Sequence, residues 1–238
     1  MTTSSLTVVI WNAEWRTRSR LRNRVCDRLW SFDPDIVCLT ETHDNFPGFG
    51  HLVCSDPDFG YPLLPSRRKV TLWSRNPWQQ IDALGSLELP SGRYLGGITE
   101  TLLGLVDIRG VCVPWAQAHV SSGRRDRTPW QDHVEYLRAL TPLIENLGER
   151  GFVAGDFNQH IPRKRAPIRV YNALRDCMLE RLITPTAGRL GTSGTTLIDH
   201  LAHTCSLRAV CVETISNIDE DGARLSDHLG VRVVLTAS

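Results

Sequence analysis

Polar side chains that could do chemistry stand at or near the ends of five apolar, strand-like runs. In chain order, these side chains are Asn12, Glu41, Asp156 with Asn158, Asp199, and Asp227 with His228. Asp199 interrupts its run, Asp227 and His228 precede theirs, and the others follow theirs. Taken singly, each residue is explained by a turn or a solvated strand end. Catalytic groups are, however, often carried at strand ends that a rigid sheet holds in place. We therefore consider what these groups could do if the fold brings them together.

Carboxylates gathered in one cleft need a positive partner. Two carboxylates about 4 Å apart repel by about 4 kcal/mol at an effective dielectric constant near 20. A cation, a shared proton or a histidinium would relieve that repulsion. An all-oxygen set of Asn, Glu and Asp suits Mg²⁺ or Mn²⁺ far better than zinc. A hard cation together with an amide, a base and a His–Asp couple would make a site for attack on a phosphorus centre.

The same residues form short motifs that resemble those of a known superfamily. The motifs are Trp11-Asn12, Thr40-Glu41, Gly155-Asp156-Phe157-Asn158, Ile198-Asp199-His200 and Ser226-Asp227-His228. In order and approximate spacing they resemble the endonuclease/exonuclease/phosphatase superfamily, over nearly the whole chain from Leu6 to Leu235. The resemblance implies an α/β fold, a four-layered α/β/β/α sandwich of two packed mixed β-sheets flanked by helices. The site would lie at one edge of the two sheets.

The resemblance also implies metal ligands. Glu41 would be the main ligand of Mg²⁺ or Mn²⁺, helped by Asn12 and, on the other side, by Asp227. Many nucleases of the superfamily carry Asp two residues after the first Asn, where this chain has Glu14. Glu14 is longer, and we include it as a further candidate ligand that reaches the ion through water.

Four residues take catalytic roles by the same resemblance. Asp156 would orient or deprotonate the attacking water, and Asn158 would bind that water or a phosphate oxygen. His228 would stand against the phosphoryl group. Asp199 would hold the imidazole and favour its charged form, since a neighbouring negative charge raises the pKa of a histidine.

One position departs from the superfamily pattern. The end of the central strand often carries a phosphate-contacting His or Tyr, and the aligned residue here is Cys112. Cysteine is a poor substitute for either. The following loop offers His119, Arg124 and Arg125, and we predict that the phosphate contact comes from among them.

The hydrophobic pattern predicts the elements that would position these groups. Helices are expected over 20–32, 129–147 and 170–182, and strands over 6–11, 36–39, 51–54, 70–74, 94–100, 102–108, 111–114, 152–154, 196–202, 209–215 and 229–235. Two sets of strands interrupted by helices predict sheets packed on each other with helices outside. No composition shift divides the chain, so one domain is predicted over 1–238.

Composition excludes several classes of protein. The chain has 238 residues, 41% of them apolar and 22% charged, which is too apolar for disorder. No apolar stretch approaches the length of a membrane span, and the N-terminus lacks the pattern of a secretory signal. Seven cysteines without a CxxC pair argue against a disulfide framework and favour a reducing cytoplasm.

The sequence thus predicts a Mg²⁺- or Mn²⁺-dependent hydrolase of phosphate esters. Our first interpretation is a phosphodiesterase or nuclease acting on DNA, RNA or nucleotides. The net charge of +1 is low for a protein that binds duplexes through a broad basic face, although local arginine clusters suit an anionic ligand. A phosphatase or lipid phosphodiesterase of the same fold, and an inactive interaction module, are the alternatives.

Overall fold

Eleven strands form two mixed sheets within residues 4–191 and 194–238, the part of the chain that this computed structural model describes. In spatial order, the first sheet consists of β10 (Leu207–Ile215), β11 (Gly230–Ala237), β1 (Leu6–Asn12), β2 (Ile36–His43), β4 (Arg67–Ser74) and β3 (His51–Cys54). The second sheet consists of β5 (Trp78–Asp82), β6 (Tyr94–Thr101), β7 (Gly104–Cys112), β8 (Gly151–Asp156) and β9 (Asp199–His203). Residues 1–3, part of the N-terminal segment examined for a secretory signal, lie outside the described residues.

Helices cover the outer face of each sheet. On the first sheet, α1 (Arg22–Trp30) buries Val25 and Leu29 against β1 and β2. On the second, α2 (Gln131–Glu145) packs with α3 (Ile168–Leu174), which continues as a π-helical turn. Apolar side chains from the inner faces of both sheets form the central core. This arrangement confirms the four-layered α/β/β/α sandwich.

Each sheet contains one parallel pair of strands, and these two pairs position the site. Strand β1 pairs in parallel with β2 after the chain passes through α1, and β7 pairs in parallel with β8 after α2. Parallel strands joined by a helix place their carboxyl ends at the same edge. Asn12, Glu41, Cys112 and Asp156 all lie at or near such carboxyl ends.

Two details of the strand prediction need correction. The strands expected over 102–108 and 111–114 are one continuous strand, β7, because Arg109 and Gly110 keep their pairing with β6. A Cβ at Gly110 would lie 2.7 Å from the Val70 side chain of the other sheet, so glycine serves there to let the sheets approach. Strand β5 was not predicted, because most of its side chains are exposed and carry no apolar alternation.

Two further features concern the length of the helices and the state of the cysteines. Within the described ranges, no helix is long and apolar enough to cross a membrane. All seven cysteines are free thiols, as expected from their spacing.

Gly155 is the glycine whose replacement should be most costly. Its φ is +136°, and a Cβ there would lie 2.0 Å from the carbonyl oxygen of Val111 on the neighbouring strand. We predict that Gly155→Ala lowers the free energy of unfolding by at least about 3 kcal/mol. Gly188→Ala is the control, because its φ is +73° but no atom lies within 4 Å of the added Cβ. It should cost about 1–2 kcal/mol, the price of a left-handed backbone alone. Equal losses in urea denaturation would contradict the steric argument.

Buried His133 gives the fold a defined sensitivity to acid. It lies between the loops that leave β7 and β8, with Nδ1 2.7 Å from the Pro114 oxygen and Nε2 2.7 Å from Nε2 of Gln159. Burial lowers the pKa of His133 to about 4, against a smaller opposing effect of the Pro114 hydrogen bond.

Below pH 6.5 the unfolded chain therefore binds a proton at His133 that the folded protein does not accept until about pH 4. Stability attributable to this group is present above pH 6.5 and is lost as the pH falls to 4, by about 3 kcal/mol. We predict that His133→Gln makes unfolding free energy less dependent on pH across this interval. Parallel curves for both proteins would show that His133 is not the cause.

Candidate active site

A cavity of about 560 Å³ opens where the carboxyl ends of strands from both sheets meet. Six of the residues singled out in the sequence line it: Asn12, Glu41, Asp156, Asn158, Asp227 and His228. Asp199 reaches the cavity through its contact with His228. Seven of the predicted residues are therefore gathered at one place by the fold.

Asp156, at the end of β8, is held by three hydrogen bonds. The amide of Asn12 donates to its Oδ2 over 3.1 Å, and the amide of Asn158 donates to the same oxygen over 2.9 Å. The backbone N–H of Asn158 donates to Oδ1 over 2.8 Å. Asn158 has a left-handed φ of +52°, which turns the chain so that its backbone and side chain both reach Asp156. The carboxyl group is thus fixed in orientation.

Asn12 connects the two sheets at this edge. Besides donating to Asp156 on the other sheet, its side-chain oxygen accepts a hydrogen bond from the backbone N–H of Glu14 over 3.0 Å. Its backbone oxygen accepts a 2.6 Å bond from the hydroxyl of Ser226. These bonds fix the amide with its nitrogen toward Asp156 and tie the C-terminal loop to the end of β1.

Glu41 enters the cavity from a strained stretch of β2. Its φ is +49°, in the left-handed region that L-residues with a Cβ rarely adopt. The backbone N–H of Trp15 donates to the Glu41 carbonyl over 2.7 Å, which stabilises this conformation. The ammonium of Lys69, on neighbouring β4, lies 2.5 Å from Oε1 of Glu41. The sheet therefore presents an acid that already has one cationic partner.

His228, on the cavity wall, pairs with the buried Asp199. Nδ1 of His228 lies 2.6 Å from Oδ2 of Asp199, and the indole N–H of Trp11 donates to the His228 carbonyl over 2.9 Å. Burial disfavours the charged imidazole, but the negative charges of Asp199 and Asp156 outweigh it and raise the pKa of His228 to about 10. The imidazole is therefore protonated at neutral pH.

The pKa of Asp156 is raised well above that of an ordinary carboxyl group. Burial raises the pKa of Asp156 to about 7, although the positive charge on His228 opposes the rise. A carboxyl group in this range exchanges protons readily near neutral pH.

The two remaining candidate ligands differ in position. Asp227 is half-exposed on the cavity wall, with Oδ1 3.9 Å from Nε2 of His228. Glu14 does not line the cavity. Its carboxylate lies 3.3 Å from Arg16 and 3.8 Å from Arg224, so it is engaged with surface cations.

The structure does not bring the three predicted phosphate-binding residues to the cavity wall. His119 is buried and stacks on Tyr61 with ring centroids 4.5 Å apart, and burial lowers its pKa. Arg124 lies 3.4 Å from Asp126 and 3.7 Å from Asp132. Arg125 is exposed. The loop contributes Trp115 and Ser122 to the cavity wall, but His119, Arg124 and Arg125 do not reach it.

Other residues of the wall were not identified as site residues from the sequence. Neither Lys69 nor Arg93 was among the residues singled out in the sequence. Trp15 and Trp115 also line the cavity, whereas Trp78 donates its indole N–H to the His51 carbonyl and packs on the core. A basic residue directly before or within a strand was the available signal for Lys69 and Arg93.

Comparisons with known proteins agree with this geometry. The sequence profile of the Endonuclease/Exonuclease/phosphatase family matches residues 9–228. No curated protein sequence matches the chain.

Solved structures share the fold at low sequence identity. A humanized TDP2 from D. rerio superposes with a TM-score of 0.70 at 14% identity, covering 99% of this chain and 100% of that one. An AP endonuclease from Archaeoglobus fulgidus gives 0.67 at 19% identity, covering 96% and 98%. The 3′ phosphatase NExo from Neisseria, bound to a product DNA hairpin, gives 0.67 at 18% identity, covering 96% and 98%.

The family to which this profile belongs contains nucleases, phosphodiesterases and phosphatases, mainly hydrolases of phosphate esters. The match extends from within β1 to His228, just before β11, and includes Asn12, Glu41, Asp156 and Asp199. The chain belongs to the endonuclease/exonuclease/phosphatase family.

Proposed function

We propose that this protein is a divalent-metal-dependent phosphodiesterase that hydrolyses P–O bonds in nucleic acid or nucleotides. The observation that carries the proposal is the convergence of Asn12, Asp156 and His228 with Glu41 on one cavity. These groups come from both sheets and from distant parts of the sequence. A protein that had lost catalytic activity would be expected to have lost at least one of these residues. The complete set therefore argues against an inactive interaction module.

The residues fit a hard divalent cation such as Mg²⁺ or Mn²⁺. Glu41 has one oxygen engaged by Lys69, whereas its Oε2 has no recorded hydrogen bond among the described residues. Asn12 and Asp227 add oxygen donors on the same wall. Burial raises the pKa of the Cys112 thiol to about 12, so no thiolate is present to favour zinc. When bound, the ion would supply electrophilic assistance at a phosphoryl oxygen.

Asp156, Asn158 and the Asn12 amide serve the attacking water. As the water oxygen forms a bond to phosphorus, Asp156 takes up one proton from that water. The P–O bond to the leaving group breaks, and the leaving oxygen takes a proton from solvent. The three hydrogen bonds from Asn12 and Asn158 fix the carboxyl group, so no reorientation accompanies the transfer. Asn158 also donates to the Val113 carbonyl over 2.8 Å, which anchors it to the end of β7.

His228 and Asp199 serve the phosphoryl group. The protonated imidazole faces the cavity, where it opposes the extra negative charge of the pentacovalent transition state. Asp199 holds Nδ1, which leaves Nε2 as the donor toward substrate. Because Asp199 is buried, the ion pair is shielded from solvent and the ring keeps a fixed orientation.

The cavity wall favours a substrate with a ring next to its phosphate. Tyr61 and Trp115 offer aromatic surface on which a nucleobase can stack, whereas the ring of Trp15 is covered by Arg67 and packs on Phe59. Similarity in fold to an AP endonuclease and to a phosphatase bound to DNA supports nucleic acid as the substrate class. Because the second of these structures is a phosphatase, phosphatase activity is our second candidate function.

The seven free thiols support a reducing compartment, and we propose the cytoplasm.

The proposal predicts that Asp156→Asn reduces hydrolysis by at least about 100-fold, because an amide cannot accept the proton of the attacking water. The assay uses single- and double-stranded DNA, abasic duplex, RNA and a generic phosphodiester. Asp176→Asn, at an exposed residue outside the cavity, is the matched control and should leave the rate unchanged. Near-normal turnover by the Asp156 variant would remove this residue from the mechanism. Release of inorganic phosphate alone would favour the phosphatase.

Metal dependence gives a separate prediction. Hydrolysis should stop with chelator and return with Mg²⁺ or Mn²⁺. Glu41→Gln should raise the dissociation constant for Mn²⁺ by at least about tenfold, because it removes the charged ligand. The measurement is calorimetric titration of Mn²⁺ into chelator-treated protein, with Glu149→Gln on the exposed surface as the control. Turnover that survives chelator would contradict the metal mechanism.

A further inference from the structure

Tyr61 presents a phenol side chain to the cavity from the loop between β3 and β4. The residue is partly buried, and its ring stacks on His119 with the ring centroids 4.5 Å apart. A Cβ at Gly123 would lie 3.1 Å from Cε1 of Tyr61, so the loop that follows β7 also packs closely against the edge of the ring. These contacts fix the direction in which the hydroxyl points.

Hydrogen-bond donors and a positive charge surround the hydroxyl oxygen of Tyr61. The backbone N–H of His119 donates to this oxygen over 3.3 Å, and Oγ of Ser122 lies 3.5 Å from it. Burial acts to raise the pKa of Tyr61, but the hydrogen bonds from Ser122 and His119 oppose that effect. The charge of Arg93 and the indole N–H of Trp115 act in the same direction as these bonds, and the net effect lowers the pKa. The surroundings therefore stabilise the phenolate that remains when the proton leaves.

The hydroxyl and the catalytic carboxyl group belong to separate parts of the cavity wall. Trp115 and Ser122, which act on the hydroxyl, line the cavity as Tyr61 does. Asp156 stands at the end of β8, where its hydrogen-bond partner from the other sheet is Asn12. Displacement at phosphorus has the attacking and leaving oxygens roughly in line, on opposite sides of the phosphorus atom. Such a reaction needs a base and an acid at different positions, which Asp156 and Tyr61 supply.

Other proton donors of the cavity are poorly suited to protonate a leaving oxygen. The ammonium of Lys69 is paired with Glu41. Loss of the proton from His228 would remove the positive charge that balances Asp199. Burial raises the pKa of the Cys112 thiol to about 12. The Tyr61 hydroxyl has none of these constraints, because its proton balances no buried carboxylate and its phenolate has donors to stabilise it.

We propose that the Tyr61 hydroxyl is the general acid that protonates the leaving oxygen of the substrate. The inference rests on the proposed function and adds a catalytic residue to the same site. As the P–O bond to the leaving group breaks, its electron pair stays on the leaving oxygen, and that oxygen takes the proton of Tyr61. The phenolate then recovers a proton from solvent. Tyr61 thus relays the solvent proton, and no further reactant is consumed.

The test compares substrates that need an acid to different degrees. A dinucleoside phosphate releases an alkoxide, which must be protonated, whereas a 4-nitrophenyl ester of a nucleoside phosphate releases a nitrophenolate that is stable without a proton. Esters of both the 3′- and the 5′-phosphate are assayed, so that either direction of cleavage is covered. With Mg²⁺ or Mn²⁺ present, Tyr61→Phe should lower kcat/KM for the dinucleoside phosphate by at least about 100-fold. The loss with the 4-nitrophenyl ester should be at least about tenfold smaller, because that leaving group needs no acid.

Tyr171→Phe is the matched control. Tyr171 lies on α3 and is not among the residues that line the cavity, so the same change there should leave both rates unchanged. Melting temperatures check that each variant is folded. Tyr61→Phe should melt close to the wild type, because it keeps the ring that stacks on His119.

The outcomes separate this inference from the proposed function. Equal losses with both kinds of ester would indicate that the hydroxyl contacts the phosphate and donates no proton to the leaving oxygen. An unchanged kcat/KM for the dinucleoside phosphate would show that the hydroxyl has no part in turnover. Either result would overturn the inference and leave the proposed function standing, because the wild type is active in both cases. If the wild type hydrolyses no phosphodiester, the proposed function fails, and the inference fails with it.

Discussion

The hydrogen bond from Asn12 to Asp156 is the contact on which the site depends, because it joins strand ends from two different sheets. Neither sheet alone contains the site: Glu41 and Asn12 belong to one, and Asp156 with Asp199 to the other. Their relative placement follows from how the inner faces pack. Side chains such as Leu72 and Ile108 in the shared core therefore set the geometry of groups that they never touch.

The sequence predicted the residues whose positions follow from strand order. Asn12, Glu41 and Asp156 stand at the ends of recognisable apolar runs, and the superfamily resemblance supplied the topology that unites those ends. The layer arrangement was predictable for the same reason, since runs of strands interrupted by amphipathic helices have few stable packings. The sequence did not predict strand β5, because an exposed edge strand lacks the alternating apolar residues that identify a strand.

Cross-strand neighbours were not predictable in the same way. Lys69 reaches Glu41 only through the register of β4 against β2, and Arg93 reaches Cys112 only through the pairing of β6 with β7. A shift of one residue would turn either side chain to the opposite face. His119 and Arg124 show the converse. They follow the central strand closely in sequence but do not line the cavity, because His119 packs on Tyr61 and Arg124 pairs with Asp132.

The ion pair between Lys69 and Glu41 separates folding from ion binding. In small zinc domains the metal is part of the folded core, and the chain stays unfolded without it. Here an ammonium already balances the acid, and two packed sheets supply the core. A newly made chain can therefore reach its native state where divalent ions are scarce, and under the proposed mechanism ion supply would regulate turnover without altering how much folded protein is present.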